Sequence, residues 1–124
     1  MLGGLQYSNA LSQWLAFKPT DPTGNLAAAW HSYNFNLCSN VTCWNQNVLP
    51  VIQSVPLVAG EIGENDCAHK FVDDDMTWAD RTGVSNLGWV WNPWDCKKGP
   101  ALIANWDGTP TEYGEGLRRH LARR

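Results

Sequence analysis

The chain has 124 residues, 44% of them hydrophobic but only 17% charged, and a net charge of −3 at neutral pH. The hydrophobic share excludes wholesale disorder, and the length is room for one domain over residues 1–124. The negative balance argues against a nucleic-acid partner, and no run of about 18 apolar residues exists to cross a membrane. No charged-then-apolar leader opens the sequence, so no intact signal peptide is expected in it. The eight Trp residues outnumber the three Tyr and three Phe together. Many indoles and few charges suit a neutral, flat-faced ligand such as a sugar, whose C–H face packs on an aromatic plane.

Met1 to Leu5 reads as the end of a strand. Asn9 is placed to cap a helix that turns Ala10, Leu11, Trp14 and Leu15 to one face. Residues 18–25 are a loop by their Pro and Gly content. Leu26 to His31 reads as a buried strand. Thr42 is expected to cap a helix carrying Trp44, Val48, Ile52 and Val55, shortened or kinked at Pro50. Pro56 opens a second buried strand, Leu57 to Glu61. A helix follows over 68–82, with Phe71, Val72, Met76 and Ala79 inward and Gly83 as its stop. Val84 to Trp91 is a further strand. Thr109-Pro110-Thr111-Glu112 reads as a capping box with Pro at the first helical position, and Leu117 and Leu121 give that last helix its apolar stripe. The cluster Arg118, Arg119, Arg123 and Arg124 then falls at the helix C-terminus, where cations complement the dipole.

Strands alternating with helices, each strand continuously apolar, predict an α/β fold with a parallel sheet. In such folds chemistry collects at the strand C-termini. Three of those ends carry reactive or stacking side chains: Trp30-His31-Ser32-Tyr33, Gly60-Glu61-Ile62-Gly63-Glu64, and Gly88-Trp89-Val90-Trp91-Asn92. Asp73, Asp74 and Asp75 fall inside a helix and therefore point in different directions. Glu64 is read as a solvated acid in a polar loop.

Cys38, Cys43, Cys67 and Cys96 lack the paired spacing of a zinc site, and His31, His69 and His120 fall at no ligand interval, so neither metal nor cofactor is expected. Four cysteines allow about three pairings. Cys38 and Cys43 are near enough to close a small loop, which leaves Cys67 for Cys96. Disulfides imply an oxidising, extracellular setting. The sequon Asn40-Val41-Thr42 suits a secreted loop but carries little weight alone.

His31-x-Tyr33, Gly60-Glu61-x-Gly63 and Trp89-Val90-Trp91-Asn92, each at a strand end and in this order, resemble the sixth, seventh and eighth strands of glycoside hydrolase family 5. The longer runs Val58 to Asn65, Trp30 to Asn34 and Asp107 to Thr111 are similar to those of its secreted bacterial cellulases. The resemblance implies a retaining β-1,4-glucanase on a TIM-type (β/α)8 barrel, of which this chain is the (βα)4 half holding strands five to eight. It implies that Glu61 is the catalytic nucleophile and that His31 and Tyr33 line the adjoining subsite. The Tyr33 hydroxyl would hydrogen-bond and orient Glu61. Trp91 is favoured as the sugar platform, with Trp89 deeper on the same face by strand alternation, while Trp94 extends the cleft or packs a loop.

In the family the acid/base is a Glu after an Asn on the fourth strand. No Asn-Glu dipeptide occurs here, and a whole barrel takes about 250 residues. Hydrolysis by this chain is therefore expected to be weak or partner-dependent. A half-barrel exposes two strand edges, which a homodimer, or association with the missing N-terminal half, would cover. The competing reading is a non-catalytic carbohydrate-binding half-barrel in which the Trp residues bind β-glucan.

Overall fold

A computed structural model describes residues 1–123. Its centre is a parallel sheet of β1 (Ala28–Tyr33), β2 (Leu57–Gly63) and β3 (Ser85–Gly88), in that spatial order. Between β1 and β2 run α3 (Val41–Asn47) and α4 (Leu49–Ile52), between β2 and β3 runs α5 (Lys70–Thr82), and α6 (Glu112–Leu121) closes the chain. The short turns α1 (Leu5–Ser8) and α2 (Trp14–Phe17) precede β1. Among the described residues no helix is long and apolar enough to cross a membrane.

The expected first strand is reduced to one parallel bridge, Leu2 to Ala28. The Leu2 amide donates to Ala27 O at 2.8 Å, and Leu2 O accepts from Ala29 N at 2.9 Å. The chain then folds back so tightly that a Cβ on Gly4 would stand 2.2 Å from Ala10 O. Gln6, Tyr7 and Ser8 follow with φ of 51°, 53° and 66°, in the left-handed region, which ends the extended run.

Asn9 does not cap a helix. It is buried, and its amide donates to His31 O at 3.0 Å and Cys38 O at 3.3 Å, while its Oδ1 accepts from Cys38 N at 3.3 Å. It ties the N-terminal segment to the end of β1 and the loop beyond. Leu15 accordingly lies partly in solvent rather than on a helical core face. The cap of α3 is Asn40 instead of Thr42, accepting from Cys43 N at 3.0 Å. Pro50 falls in the first turn of α4, where its missing N–H costs nothing, so two short helices replace one kinked helix. The α5 helix starts at Lys70 and stops at Gly83 (φ 75°), close to expectation. At α6 the N-cap is Thr111, accepting from Gly114 N, whereas Thr109 bonds Asp107 and Pro110 bridges Ile103. Leu117 packs on the core but Leu121 is exposed. Arg118 and Arg119 both pair with Glu115 on that helix; Arg124 lies outside the described residues.

The helices cover one face of the sheet around a cluster of indoles. Trp30 of β1 meets Trp44 of α3 edge-on at 5.9 Å and Trp78 of α5 at 5.7 Å, and those two meet each other at 5.6 Å. Each buried indole removes on the order of 150–250 Å² from water, so this triad dominates the layer. Trp14, Trp44 and Trp78 are all buried, as packing residues are.

One charge-bearing side chain enters this layer. The three consecutive aspartates do diverge: Asp73 pairs with His69 and Asp74 with Lys70, each at 2.7 Å, while Asp75 is fully buried. Burial pushes the Asp75 carboxyl up to about 7, a rise that the nearby Ser32 of β1 opposes only in part. The folded chain thus holds a proton there that the unfolded chain, with its ordinary value of 3.8, has released. Stability therefore falls as pH rises from about 4 to about 7 and levels off above. Asp75→Asn should stabilise the fold at pH 8 by on the order of 2–4 kcal/mol, change little at pH 4, and flatten the slope in urea unfolding. An unchanged slope would contradict this account.

Candidate active site

The site grows from an irregularity in the sheet. Along β1 and β2, Trp30 pairs with Ala59 but His31 pairs with Glu61, so Gly60 is an extra residue. The β2–β3 register jumps over the same stretch, from Ala59–Asn86 to Ile62–Gly88. A bulge of this kind re-aims the side chains that follow it. Here it sets Glu61 beside His31 and Tyr33. The Tyr33 hydroxyl donates to Glu61 Oε2, and His31 Nδ1 stands 3.4 Å from the same oxygen. The His31 and Glu61 side chains are each 25% exposed, sheltered yet reachable from the rim.

Tyr33 is itself fixed. Burial first, then the hydrogen bond and charge of Glu61, hold its phenol well above the ordinary range, so it remains a donor. Its amide donates to Asn36 Oδ1 at 2.9 Å, and the Phe35 ring stacks on it at 4.9 Å with the planes 13° apart. The neighbouring loops are tied as well, since Asn34 Oδ1 accepts from Asn65 N at 3.2 Å. Position 63 admits only glycine. A Cβ there would lie 2.7 Å from Pro100, 2.9 Å from Trp89 O and 3.1 Å from the Tyr33 ring. Gly63 therefore lets the ends of β1 and β3 approach from either side of β2.

The third strand ends at Gly88, three residues short of Trp91. The Trp89 amide still donates to Ile62 O at 2.9 Å, a cis peptide joins Trp89 to Val90, and Val90 then pairs with Pro100 and Leu102. Strand alternation thus does not place Trp89 and Trp91 on one face. Trp89 reaches the rim beside Gly63, whereas Trp91 lies over Gly108, in a cleft shared with Leu117 and Arg118 of α6. Trp94 packs its ring against Gly99. All three are partly exposed, at 42%, 60% and 47%. The disulfides are Cys38–Cys43 and Cys67–Cys96, and the second links the loop after β2 to the loop carrying Trp94.

Glu64 is not a solvated loop acid. It is 2% exposed, and its Oε2 accepts from Val72 N at 3.1 Å at the N-terminus of α5. That helix has no side-chain cap of its own, so Glu64 satisfies a helix donor from outside. Burial raises its carboxyl to about 7, against the lowering effect of the helix amides. Sequence reasoning missed this role and that of Phe35. The signal for Glu64 was its position six residues before a helix lacking a Ser, Thr, Asp or Asn cap.

No protein-family profile matches the chain, and no curated protein does. Solved structures do. The native β-glucanase SdGluc5_26A from Saccharophagus degradans superposes with a TM-score of 0.77 at 22% identity, over 98% of this chain and 40% of that one. The fold is therefore like part of that of this β-glucanase. The same glucanase in complex with cellotetraose gives 0.77 at 21% identity. A triple variant of an endo-β-1,4-glucanase from Xanthomonas axonopodis pv. citri gives 0.70 at 15% identity, over 98% of this chain and 48% of that one. The chain thus spans two-fifths to a half of the glucanases it matches.

Proposed function

We propose that this chain is the nucleophile-bearing part of a family-5-type glycoside hydrolase that cleaves β-1,4-glucan with retention, with Glu61 as nucleophile. The observation that carries the reading is the Glu61 carboxylate at a strand C-terminus, held by the Tyr33 hydroxyl with His31 beside it. In the first step a Glu61 oxygen attacks the anomeric carbon, the glycosidic C–O bond breaks, and the leaving oxygen takes a proton. Water then displaces the ester and restores the carboxylate. Tyr33 and His31 orient the attacking group, and Trp89, Trp91 and Trp94 offer apolar faces to the sugar rings. The partner carboxyl that a retaining enzyme holds about 5–5.5 Å away comes from the remainder of the barrel. Two disulfides fit a secreted protein.

Hydrolysis of an activated aryl cellobioside, which needs no acid, should fall by about 10³-fold or more in Glu61→Gln while cello-oligosaccharide binding persists. Equal rates in the two proteins would favour the non-catalytic binding reading, which rests on the exposed indoles.

The sheet has open edges, and apolar side chains stand on both sides of it: Leu5 and Phe17 near the Leu2 bridge are 74% and 79% exposed, and Leu87 on β3 is 57% exposed. Association with a second copy, or with a complementary barrel portion, covers them. Light scattering on the isolated chain should give the mass of two chains. A single-chain mass across micromolar concentrations would contradict self-association.

A further inference from the structure

We propose that Phe35 is a sugar-stacking platform for the glucosyl unit next to the one presented to Glu61, on the β1 side of the rim. The inference rests on the glycosidase reading above and extends the site by a residue that the strand-end motifs do not include. Phe35 is 56% exposed, and a single exposed apolar side chain is unremarkable in itself. What sets this ring apart is how it is held. One of its faces stacks on Tyr33, 4.9 Å away and 13° from parallel.

Tyr33 is in turn anchored at both ends. Its hydroxyl is on Glu61, its amide donates to Asn36 Oδ1 at 2.9 Å, and its carbonyl accepts from Asn36 N at 3.0 Å. The plane of Phe35 is therefore set relative to the reacting carboxylate through one rigid intermediary, while more than half of the residue remains exposed. Pre-ordering an aromatic surface removes the entropy that a mobile side chain would lose on binding.

Position on the sheet gives the ligand its direction. Strand order β1-β2-β3 puts Phe35 and Tyr33 on one side of Glu61 and Trp89 on the other, with Gly63 between the Tyr33 ring and the Trp89 carbonyl. A chain of sugars lying across Glu61 thus meets the Phe35 ring on the β1 side and the Trp89 segment on the β3 side. Phenylalanine has no polar group to offer, so what it takes is an apolar C–H face. β-Linked glucosyl units, with equatorial hydroxyls, present such a face on both sides of the ring.

The test is isothermal titration of the chain with cellobiose, cellotetraose and cellohexaose, for wild type, Phe35→Ala and Phe35→Trp. Phe35→Ala should weaken the two longer ligands about five- to tenfold and leave cellobiose within twofold, while Phe35→Trp should retain or tighten the long-ligand affinity. Unchanged affinity at every length in Phe35→Ala would overturn the platform. So would an equal loss at every length in both variants, which would mean that Phe35 acts only by supporting Tyr33. Failure of the wild-type chain to bind any of the three sugars would overturn the glycosidase reading itself, and the platform with it.

Discussion

The hydrogen bond from the Tyr33 hydroxyl to Glu61 joins the ends of two strands at the point where the sheet is irregular, and the rest of the site is arranged to permit it. Without the extra residue at Gly60, Glu61 would not stand opposite His31. Without the absent side chain at Gly63, Tyr33 and the Trp89 backbone could not both close on β2. The bond also constrains chemistry, because a phenol kept protonated by burial and by the neighbouring carboxylate can only donate to it.

Behind the sheet the balance is different. The indole cluster of Trp30, Trp44 and Trp78 gives β1 a rigid back wall, so the opposite face of that strand can be spent on polar residues. Two carboxyl groups are buried in the fold. Glu64 accepts from the Val72 amide at the start of α5, and Asp75 faces Ser32. Both are neutral more readily than ordinary acids, which gives the fold a preference for mildly acidic conditions. His120 of α6 meets Asp80 of α5 at 3.0 Å, so the outer helices are linked by polar contacts as well as by packing.

The parts of this architecture that were legible in the sequence are those set by neighbours in the chain. Period-two spacing puts His31 and Tyr33 on one face of β1, and the apolar run before Glu61 announces β2. Gly83 ends α5 through its own backbone freedom. What was illegible depends on distant partners. Asn9 looks like a cap because short polar side chains serve both caps and long-range clamps, and its partners lie 22 and 29 residues away. Glu64 looks solvated until α5 swings its N-terminus over it. The end of β3 is decided by residues 100–102, which take up the hydrogen bonds of Val90, and so Trp91 parts company with Trp89. The strand end read at Met1 to Leu5 amounts to one parallel bridge from Leu2 to Ala28, and it stops where Gln6, Tyr7 and Ser8 turn to positive φ, which their residue types do not announce.

The central claim is that Glu61 attacks a sugar carbon, and covalent trapping tests it most directly. An activated cellobioside with fluorine in place of the hydroxyl beside the anomeric carbon should react once: its leaving group departs, a bond forms to a Glu61 oxygen, and hydrolysis of that ester is slow. Mass spectrometry should then find one added disaccharide on the peptide containing Glu61. A trapped sugar on any other residue, or none after wild-type protein has been shown to bind cellotetraose, would contradict the account.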